Sequence, residues 1–291
     1  MTNPPTVQSE SCPSLDEVVR RASEIATLPQ VALHIIDVVN DPNSGAGDLK
    51  EVLEGDAALS SRVLRCVNSS AYATRTEITN LQQAIAYLGV QQIRNLAVAA
   101  SASKLFAGDE KIGPYNRAGL WQHLVAVGVC SRLLAMRLRL SDFEDVFLAG
   151  LLHDIGIVLE DQGMHNHFVR LTACLKEKQA LPEAERAHFG FDHTMLGEVV
   201  AKNWRFPDSV IAAIRYHHNA AGYRGEYLKM VQCVEVANLI CSLKGMSSVG
   251  VNRVAFPQQA IRGLSLTKDD IQVLAEDLDR ELTLNKNLLR M

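Results

Sequence analysis

The sequence predicts an all-α protein, a helical bundle of two packed lobes. Apolar residues recur at helical spacing almost throughout the chain, as at Val31, Ile35 and Val38, and no segment shows convincing strand alternation. The 291 residues are 47% hydrophobic and 21% charged, which is enough apolar surface to bury a large core. Short turns containing glycine or proline separate the helical segments, so the predicted bundle is compact.

Turn signals and composition divide the chain into four segments. Residues 1–13 are polar, carry three prolines and are predicted to be a disordered tail. Ser14 and Glu17 have the spacing of a capping box, so residues 14–108 are predicted to form the N-terminal lobe. Composition changes most around Gly108–Pro114, which places the second lobe at 109–245. Residues 246–291 are predicted to be a helical extension packed on this domain, with Thr267 and Asp270 capping its last helix.

The second lobe brings several histidines to helix ends. Its first helix carries His123. Ser141 and Glu144 predict a capping box for the next helix, which carries His153-Asp154 at its end, where Gly156 is expected to break it. A further helix begins after Pro207 and reaches His217 and His218.

Charge and cysteine usage exclude several classes of function. A net charge of −4 and a pI near 6.1 leave no strong basic field, so no nucleic-acid partner is expected. The six cysteines contain no CxxC pair and lie in apolar stretches, which predicts buried free thiols in a reducing compartment. No secretory signal pattern and no uninterrupted apolar run of about 18 residues occurs, which predicts a cytoplasmic protein without a membrane span.

Eight of the nine histidines lie at or after residue 123, so a cluster around one pocket is predicted. The His153-Asp154 pair offers one imidazole nitrogen and one carboxylate oxygen, a mixture that suits zinc, iron or manganese. The natural further donors are His123, His193, His217 and His218. The alternative for His153-Asp154 is a helix-end hydrogen bond. The remaining histidines are interpreted as structural residues: His34, His165, His167 and His188.

Metal bound by these donors would lower the pKa of coordinated water from 15.7 to about 7 and so supply a hydroxide for attack on a phosphate ester. The constellation therefore indicates phosphohydrolase chemistry if the cluster is catalytically complete.

Motifs in both halves of the chain carry a family resemblance. They are Leu28-Pro29-Gln30, Gly55–Leu59, Val63-Leu64-Arg65, Val67-Asn68-Ser69, Ala84-Ile85, Leu88-Gly89, Trp121 with His123, Ala149–Gly156, Phe189-Gly190, Asp192-His193, Trp204–Pro207 and Tyr216-His217-His218. From about residue 25 to 243 the chain resembles the HDOD family, a non-catalytic relative of the HD phosphohydrolases. The resemblance implies an all-helical fold whose second lobe corresponds to the HD part.

Two departures separate this sequence from active HD enzymes. The resemblance aligns His123, His153 and Asp154 with the HD pattern, and the three later histidines with the extra histidines of the HD-GYP phosphodiesterases. A late metal-binding aspartate of active enzymes falls at Asn238, a neutral amide that binds hard cations more weakly. The lysine of the HD-GYP pattern is Ile157.

These departures imply a bacterial regulatory module without catalytic activity. Its degenerate metal site would consist of His123, His153, Asp154, His193, His217 and His218, and no cofactor is certain, although the site could hold a divalent metal such as Fe, Mn, Zn or Mg. Its expected partners are signalling proteins of two-component or cyclic-di-GMP networks. The alternative is an active metal-dependent phosphodiesterase acting on cyclic nucleotides or cyclic dinucleotides, and a third interpretation is a pocket that binds a nucleotide without hydrolysing it. The oligomeric state does not follow from the sequence.

Overall fold

The computed structural model describes residues 12–25, 28–72, 74, 76–108, 111–175, 179–250 and 254–290. It is an all-helical fold with one two-stranded hairpin in the described part. The α-helices, in chain order, are α1 Leu15–Ile25, α2 Gln30–Asn40, α3 Ala46–Glu54, α4 Ala57–Val67, α5 Leu81–Leu88, α6 Val90–Ala102, α7 Arg117–Arg137, α8 Phe143–Leu152, α9 Ile155–Gly163, α10 His165–Cys174, α11 Leu181–Phe189, α12 His193–Asn203, α13 Asp208–Tyr216, α14 Leu228–Leu243, α15 Gln258–Gly263, α16 Lys268–Leu284 and α17 Lys286–Leu289. Of the predicted tail, residues 1–11 lie outside the described residues.

Two of the predicted capping boxes are confirmed. Glu17 N donates to Ser14 Oγ at 3.3 Å while Ser14 N donates to Glu17 Oε2 at 2.8 Å, at the start of α1. Asp270 N donates to Thr267 Oγ1 at 3.2 Å, and Thr267 N returns a bond to Asp270 Oδ2 at 2.8 Å. Each pair satisfies backbone groups that the first turn of a helix leaves without an intrahelical partner.

The predicted capping box of Ser141 and Glu144 is wrong. Helix α8 begins after Asp142, which makes no side-chain cap, and Glu144 points into the protein instead. Its Oε2 accepts from Asn95 Nδ2 at 2.9 Å and its Oε1 accepts from Arg132 Nε at 2.7 Å. Two strong donors on α6 and α7 therefore outcompete the local backbone for this carboxylate.

Helix α7 lies at the centre of the fold and packs against α8, α14 and α16. Of the described helices, it alone is long and apolar enough to cross a membrane, but 72% of its most apolar 18-residue window is buried within the protein. Burial by neighbouring helices explains its composition, since a helix that is apolar on all sides is expected in the centre of a large core.

The hairpin falls where the sequence predicts a boundary and no strand. Strands β1 Lys111–Ile112 and β2 Tyr115–Asn116 pair antiparallel, with Ile112 opposite Tyr115. The Tyr115 ring is buried and its hydroxyl donates to Asp161 Oδ2 of α9 at 3.0 Å. A tertiary anchor thus orders a two-residue ladder that is too short to give a sequence signal.

The cysteines are free, as predicted, but not all of them are buried. Cys66, Cys130, Cys233 and Cys241 are buried, whereas Cys12 is half-buried and Cys174 is exposed. Burial raises the pKa of Cys66 and of Cys233 to about 12, so these thiols stay neutral and behave as small apolar side chains. Cys174 contradicts the prediction of buried thiols, because it is exposed at the end of α10.

Candidate metal centre

The fold brings the six predicted donors together, five of them at helix ends. His153 and Asp154 form the turn between α8 and α9, His193 begins α12, and His217 follows the last residue of α13. His123 projects from the first half of α7. His123, His153, His193 and His217 are fully buried, and Asp154 is 1% exposed. His218 is half-buried.

Two of the imidazoles are oriented by the ends of their own helices. The Nδ1 atom of His153 lies 2.7 Å from the Gly150 carbonyl oxygen, and that of His217 lies 2.9 Å from the Ile214 carbonyl oxygen. Carbonyls in the last turn lack intrahelical donors, so each accepts the Nδ1–H of a histidine three residues later. The proton is therefore assigned to Nδ1, and the lone pair of each ring is on Nε2.

Long-range acceptors orient the other two buried rings in the same way. His123 Nδ1 lies 2.9 Å from the Met246 carbonyl oxygen. Glu185 Oε2 accepts from both Nδ1 and the backbone N–H of His193, at 2.7 and 3.0 Å. An acceptor at the second ring nitrogen is the usual support for a metal-binding imidazole, since it fixes the tautomer and increases basicity.

All four Nε2 atoms converge on the carboxylate of Asp154. His217 and His193 lie 3.0 and 3.2 Å from Oδ1. His153 and His123 lie 3.2 and 3.5 Å from Oδ2. Yet Asp154 Oδ1 and His217 Nε2 have no hydrogen-bond partner among the described residues.

Acceptors that face acceptors in a buried site require a cation between them, because a carboxylate and the unprotonated nitrogen of an imidazole both present lone pairs. A proton on one nitrogen can meet this requirement at one point, and a divalent metal ion can meet it at several. The orphaned acceptors thus show that these residues fit a metal.

The donors form two sets that share Asp154. One set contains Asp154, His193, His217 and His218, the other contains His123, His153 and Asp154, and the ligand atoms of each set lie within 4.8 Å of one another. Within the sets, the Nε2 atoms of His193 and His218 are 3.2 Å apart, and those of His123 and His153 are 3.3 Å apart. Five imidazoles and one carboxylate favour iron, manganese or zinc over magnesium, which prefers oxygen ligands.

Burial and the shared carboxylate shape the electrostatics of the centre. Burial lowers the pKa of His153 to about 4 despite the nearby Asp154, so its Nε2 is free of a proton at neutral pH. Burial and the neighbouring imidazoles also place the pKa of His218 well below its usual range. Burial alone would raise the pKa of Asp154, but the surrounding imidazoles outweigh it and hold the value well below normal. Asp154 is therefore ionised.

Two buried glutamates, Glu160 and Glu185, lie near His193, and no sequence pattern predicted either of them. Burial alone would lower the pKa of His193, but Glu185 and Asp154 outweigh burial and raise it well above its usual range. Burial and the adjacent Glu185 raise the pKa of Glu160 well above its usual range, so Glu160 is neutral. No spacing signal links α9 and α11 to His193. For Glu160, the available signal was an acidic residue in the apolar stretch of α9.

Gly156 has a different role from the predicted one. Helix α8 ends at Leu152, before the His153-Asp154 turn, and Gly156 lies inside α9 rather than at a helix break. A Cβ atom there would collide with the carbonyl oxygen of His193 and lie 2.7 Å from its carbonyl carbon. Glycine therefore permits the close approach of α9 and α12 that sets the position of His193.

The two departures from the HD pattern occupy buried positions. Asn238 is 1% exposed on α14, which packs against the helices of His123 and His153. Ser242 Oγ donates to its Oδ1 at 3.4 Å, and its Nδ2 has no partner in the described part of the chain. Ile157 is fully buried in α9.

The centre reaches the surface beside His218. This side chain lines a cavity of about 420 Å³ together with Arg186 and Arg215. A larger cavity of about 920 Å³ lies between α2, the start of α4 and the turn after α12, and none of its lining residues belongs to the donor sets. Chemistry, rather than cavity size, therefore identifies the candidate site.

The four histidines interpreted as structural stay out of both donor sets. His165 Nδ1 lies 2.9 Å from Asp161 Oδ1, and His188 Nδ1 lies 3.2 Å from the Ala184 carbonyl oxygen. His34 lines the 920 Å³ cavity, and His167 lines a polar cavity at the start of α10.

A model of the HDOD domain matches residues 25–220. Among solved structures, the chain is similar to an HDOD domain protein of unknown function from Geobacter sulfurreducens, with 26% identity, a TM-score of 0.76, and coverage of 94% of this chain and 96% of that one.

Two further structures show the same fold at lower identity. One is a candidate signal transduction protein from Marinobacter aquaeolei, with 23% identity, a TM-score of 0.73, and coverage of 97% of this chain and 61% of that one. The other is a candidate phosphohydrolase from Shewanella amazonensis, with 24% identity, a TM-score of 0.70, and coverage of 94% and 97%. A curated relative, an uncharacterised protein of Treponema pallidum, is 23% identical over 237 residues, and the match spans 80% of this chain but 45% of the relative.

Proposed function

This chain belongs to the HDOD domain family, and from that premise we propose that it is a bacterial signal-transduction module that holds divalent metal in a buried imidazole centre without hydrolysing phosphodiesters. The observation that carries the metal proposal is the convergence of four imidazole Nε2 atoms on the two oxygens of Asp154. The family and the fold shared with a candidate signal transduction protein support the signalling role.

The residues argue for binding rather than turnover. A divalent metal can supply Lewis acidity and a hydroxide at neutral pH when it is bound. The donor sets nevertheless contain a single carboxylate, Asp154, and the aligned position of a second one is the neutral Asn238. The position of the phosphate-contacting lysine is Ile157, whose side chain is buried in α9. Loss of a charge aimed at a phosphate costs about 10²-fold or more in rate.

The module is proposed to act in the cytoplasm and to pass its signal to proteins of two-component or cyclic-di-GMP networks. A net charge of −4 gives no attraction to nucleic acid. Protein contacts would use the exposed helical faces, because five of the six candidate metal donors are buried.

Elemental analysis tests the metal proposal. Protein purified without chelator should contain iron, manganese or zinc, and His217→Ala should lose at least half of it because His217 belongs to the four-donor set. His34→Ala is the matched control, since His34 lies outside both sets. Equal metal content in all three proteins, or none after saturation with Mn²⁺, would refute the assignment.

Active phosphohydrolysis is the second candidate, because two donor sets sharing one carboxylate resemble a two-metal hydrolase centre. The test is turnover of cyclic-di-GMP, cyclic-di-AMP, cyclic AMP and simple phosphodiesters with Mn²⁺ or Fe²⁺. We expect none above background. Metal-dependent turnover that disappears in His153→Ala would overturn the non-catalytic proposal and favour this alternative.

A further inference from the structure

A second site of concentrated charge lies away from the metal centre, between α4 and α17. It is a cavity of about 290 Å³ lined by Arg62, Arg65, Cys66, Asn287 and Arg290. None of these residues belongs to the metal donor sets. One wall comes from α4 and the other from the segment of α17. Asn287 Nδ2 donates to the Arg65 carbonyl oxygen at 3.3 Å between the two walls.

The three guanidinium groups have no carboxylate partner among the described residues. Arg62 Nη1 donates to the Ala100 carbonyl oxygen at 3.1 Å, which fixes the group at the cavity without neutralising it. Cys66 cannot neutralise it either, because burial outweighs the nearby Arg65 and raises the pKa of the thiol to about 12. Elsewhere on the fold arginines pair readily with acids, as Arg94 does with Asp145 at 2.6 Å.

Like charges around a shared cavity repel one another, and they repel more strongly where water is excluded. The chain has 33 acidic residues for 29 basic ones, so its composition could have provided a counter-ion here. A multiply charged anion would reduce the repulsion and accept hydrogen bonds from several of the guanidinium N–H groups. Guanidinium groups match phosphate in particular, because their planar forks donate two parallel hydrogen bonds to it.

We propose that Arg62, Arg65 and Arg290 form a binding site for a phosphoryl group. At about 290 Å³ the cavity lies at the small end of ligand pockets, so it accommodates a phosphate with a short attachment rather than a nucleotide. A bound phosphate would bridge α4 and α17 and so tie the C-terminal helix to the N-terminal part of the chain. The metal centre has no part in this site.

Calorimetric titration of the full chain with inorganic phosphate tests the proposal. The protein is first stripped of metal with chelator, which is then removed, so that phosphate cannot bind through the metal centre, and ionic strength is held constant with chloride. We expect saturable 1:1 binding that Arg65→Gln/Arg290→Gln weakens at least tenfold, because two charge-assisted contacts are lost. Arg170→Gln, on the exposed face of α10, should bind phosphate like the wild type.

Three outcomes would overturn the site: no saturable binding, equal binding by the double variant, or equal binding of acetate. Circular dichroism and melting of the double variant establish that it folds. A second arm replaces phosphate with a short phosphoserine peptide and its unphosphorylated form. Tighter binding of the phosphopeptide identifies a protein side chain as the source of the phosphoryl group, and tighter binding of inorganic phosphate identifies the free ion.

Discussion

At the scale of single residues, Gly156 shows most directly how the backbone positions the metal centre. Gly156→Ala places a methyl group against the His193 carbonyl, so α9 and α12 must separate. We expect a loss on the order of 3 kcal/mol in unfolding free energy, the upper end for overpacked sites, together with loss of bound metal. Urea denaturation and elemental analysis measure the two effects.

Gly47→Ala is the matched control for this change. Gly47 lies in α3, and a Cβ atom there would meet no atom within 4 Å. Alanine should therefore stabilise the protein by about 0.5 kcal/mol through the smaller entropy of the unfolded chain. If both variants lose stability equally, close packing at Gly156 is not the cause.

Glu235 makes stability depend on pH. Burial raises its pKa from 4.5 to about 7, although a backbone hydrogen bond from Ala220 opposes the shift. The folded protein therefore binds a proton more tightly than the unfolded chain. The stabilisation is complete below pH 4.5 and is lost as the pH rises to about 7, by up to roughly 3 kcal/mol.

Glu235→Gln should remove this dependence, because the amide cannot ionise. Between pH 5 and pH 8, the melting temperature should fall less for the variant than for the wild type. The exposed Glu51→Gln serves as control and should follow the wild-type profile. Parallel profiles for all three proteins would contradict burial of an uncharged Glu235.

At the scale of elements, the caps decide where the helices begin. Thr267→Ala removes the side-chain half of the capping box on α16. We expect a loss of about 1 kcal/mol in unfolding free energy. Thr283→Ala on the same helix is the control, since its hydroxyl only donates to the Asp279 carbonyl oxygen on an exposed face. Equal losses in chemical denaturation would show that the cap contributes nothing.

At the scale of the whole molecule, metal should stabilise the fold, because its donors come from three helices and one turn that are brought together only by folding. A ligand at 100 times its dissociation constant adds about 2.7 kcal/mol of stability. Adding Zn²⁺ or Mn²⁺ to chelator-treated protein should therefore raise the melting temperature by several degrees. The increase should be smaller in His217→Ala and unchanged in His34→Ala. An increase of equal size in His217→Ala would argue for binding elsewhere.

The sequence was sufficient for the fold class, and the structure brings the six predicted donor residues together, while metal binding by them stays a prediction. Helical periodicity predicts the bundle, and the helix-end hydrogen bond given as the alternative for His153 is present beside its place in the donor cluster, since its Nδ1 lies 2.7 Å from the Gly150 carbonyl oxygen. Contacts between distant segments could not be predicted in this way. Glu144 accepts hydrogen bonds from Asn95 and Arg132 and does not cap its own helix. Gly156 allows α9 to contact α12 and does not end a helix, because tertiary packing outweighs local preference.

The Met246 carbonyl that orients His123 makes the two halves of the centre unequal. Only the three-donor set depends on a ring oriented from beyond α14, and Trp121, on the same helix, donates its indole N–H to the Leu288 carbonyl oxygen at 3.2 Å. A partner that pulls the chain's last helices away would thus let one imidazole rotate while the four-donor set kept its shape. If both donor sets hold metal, displacement of the C-terminal helices would therefore weaken the three-donor set before the four-donor set.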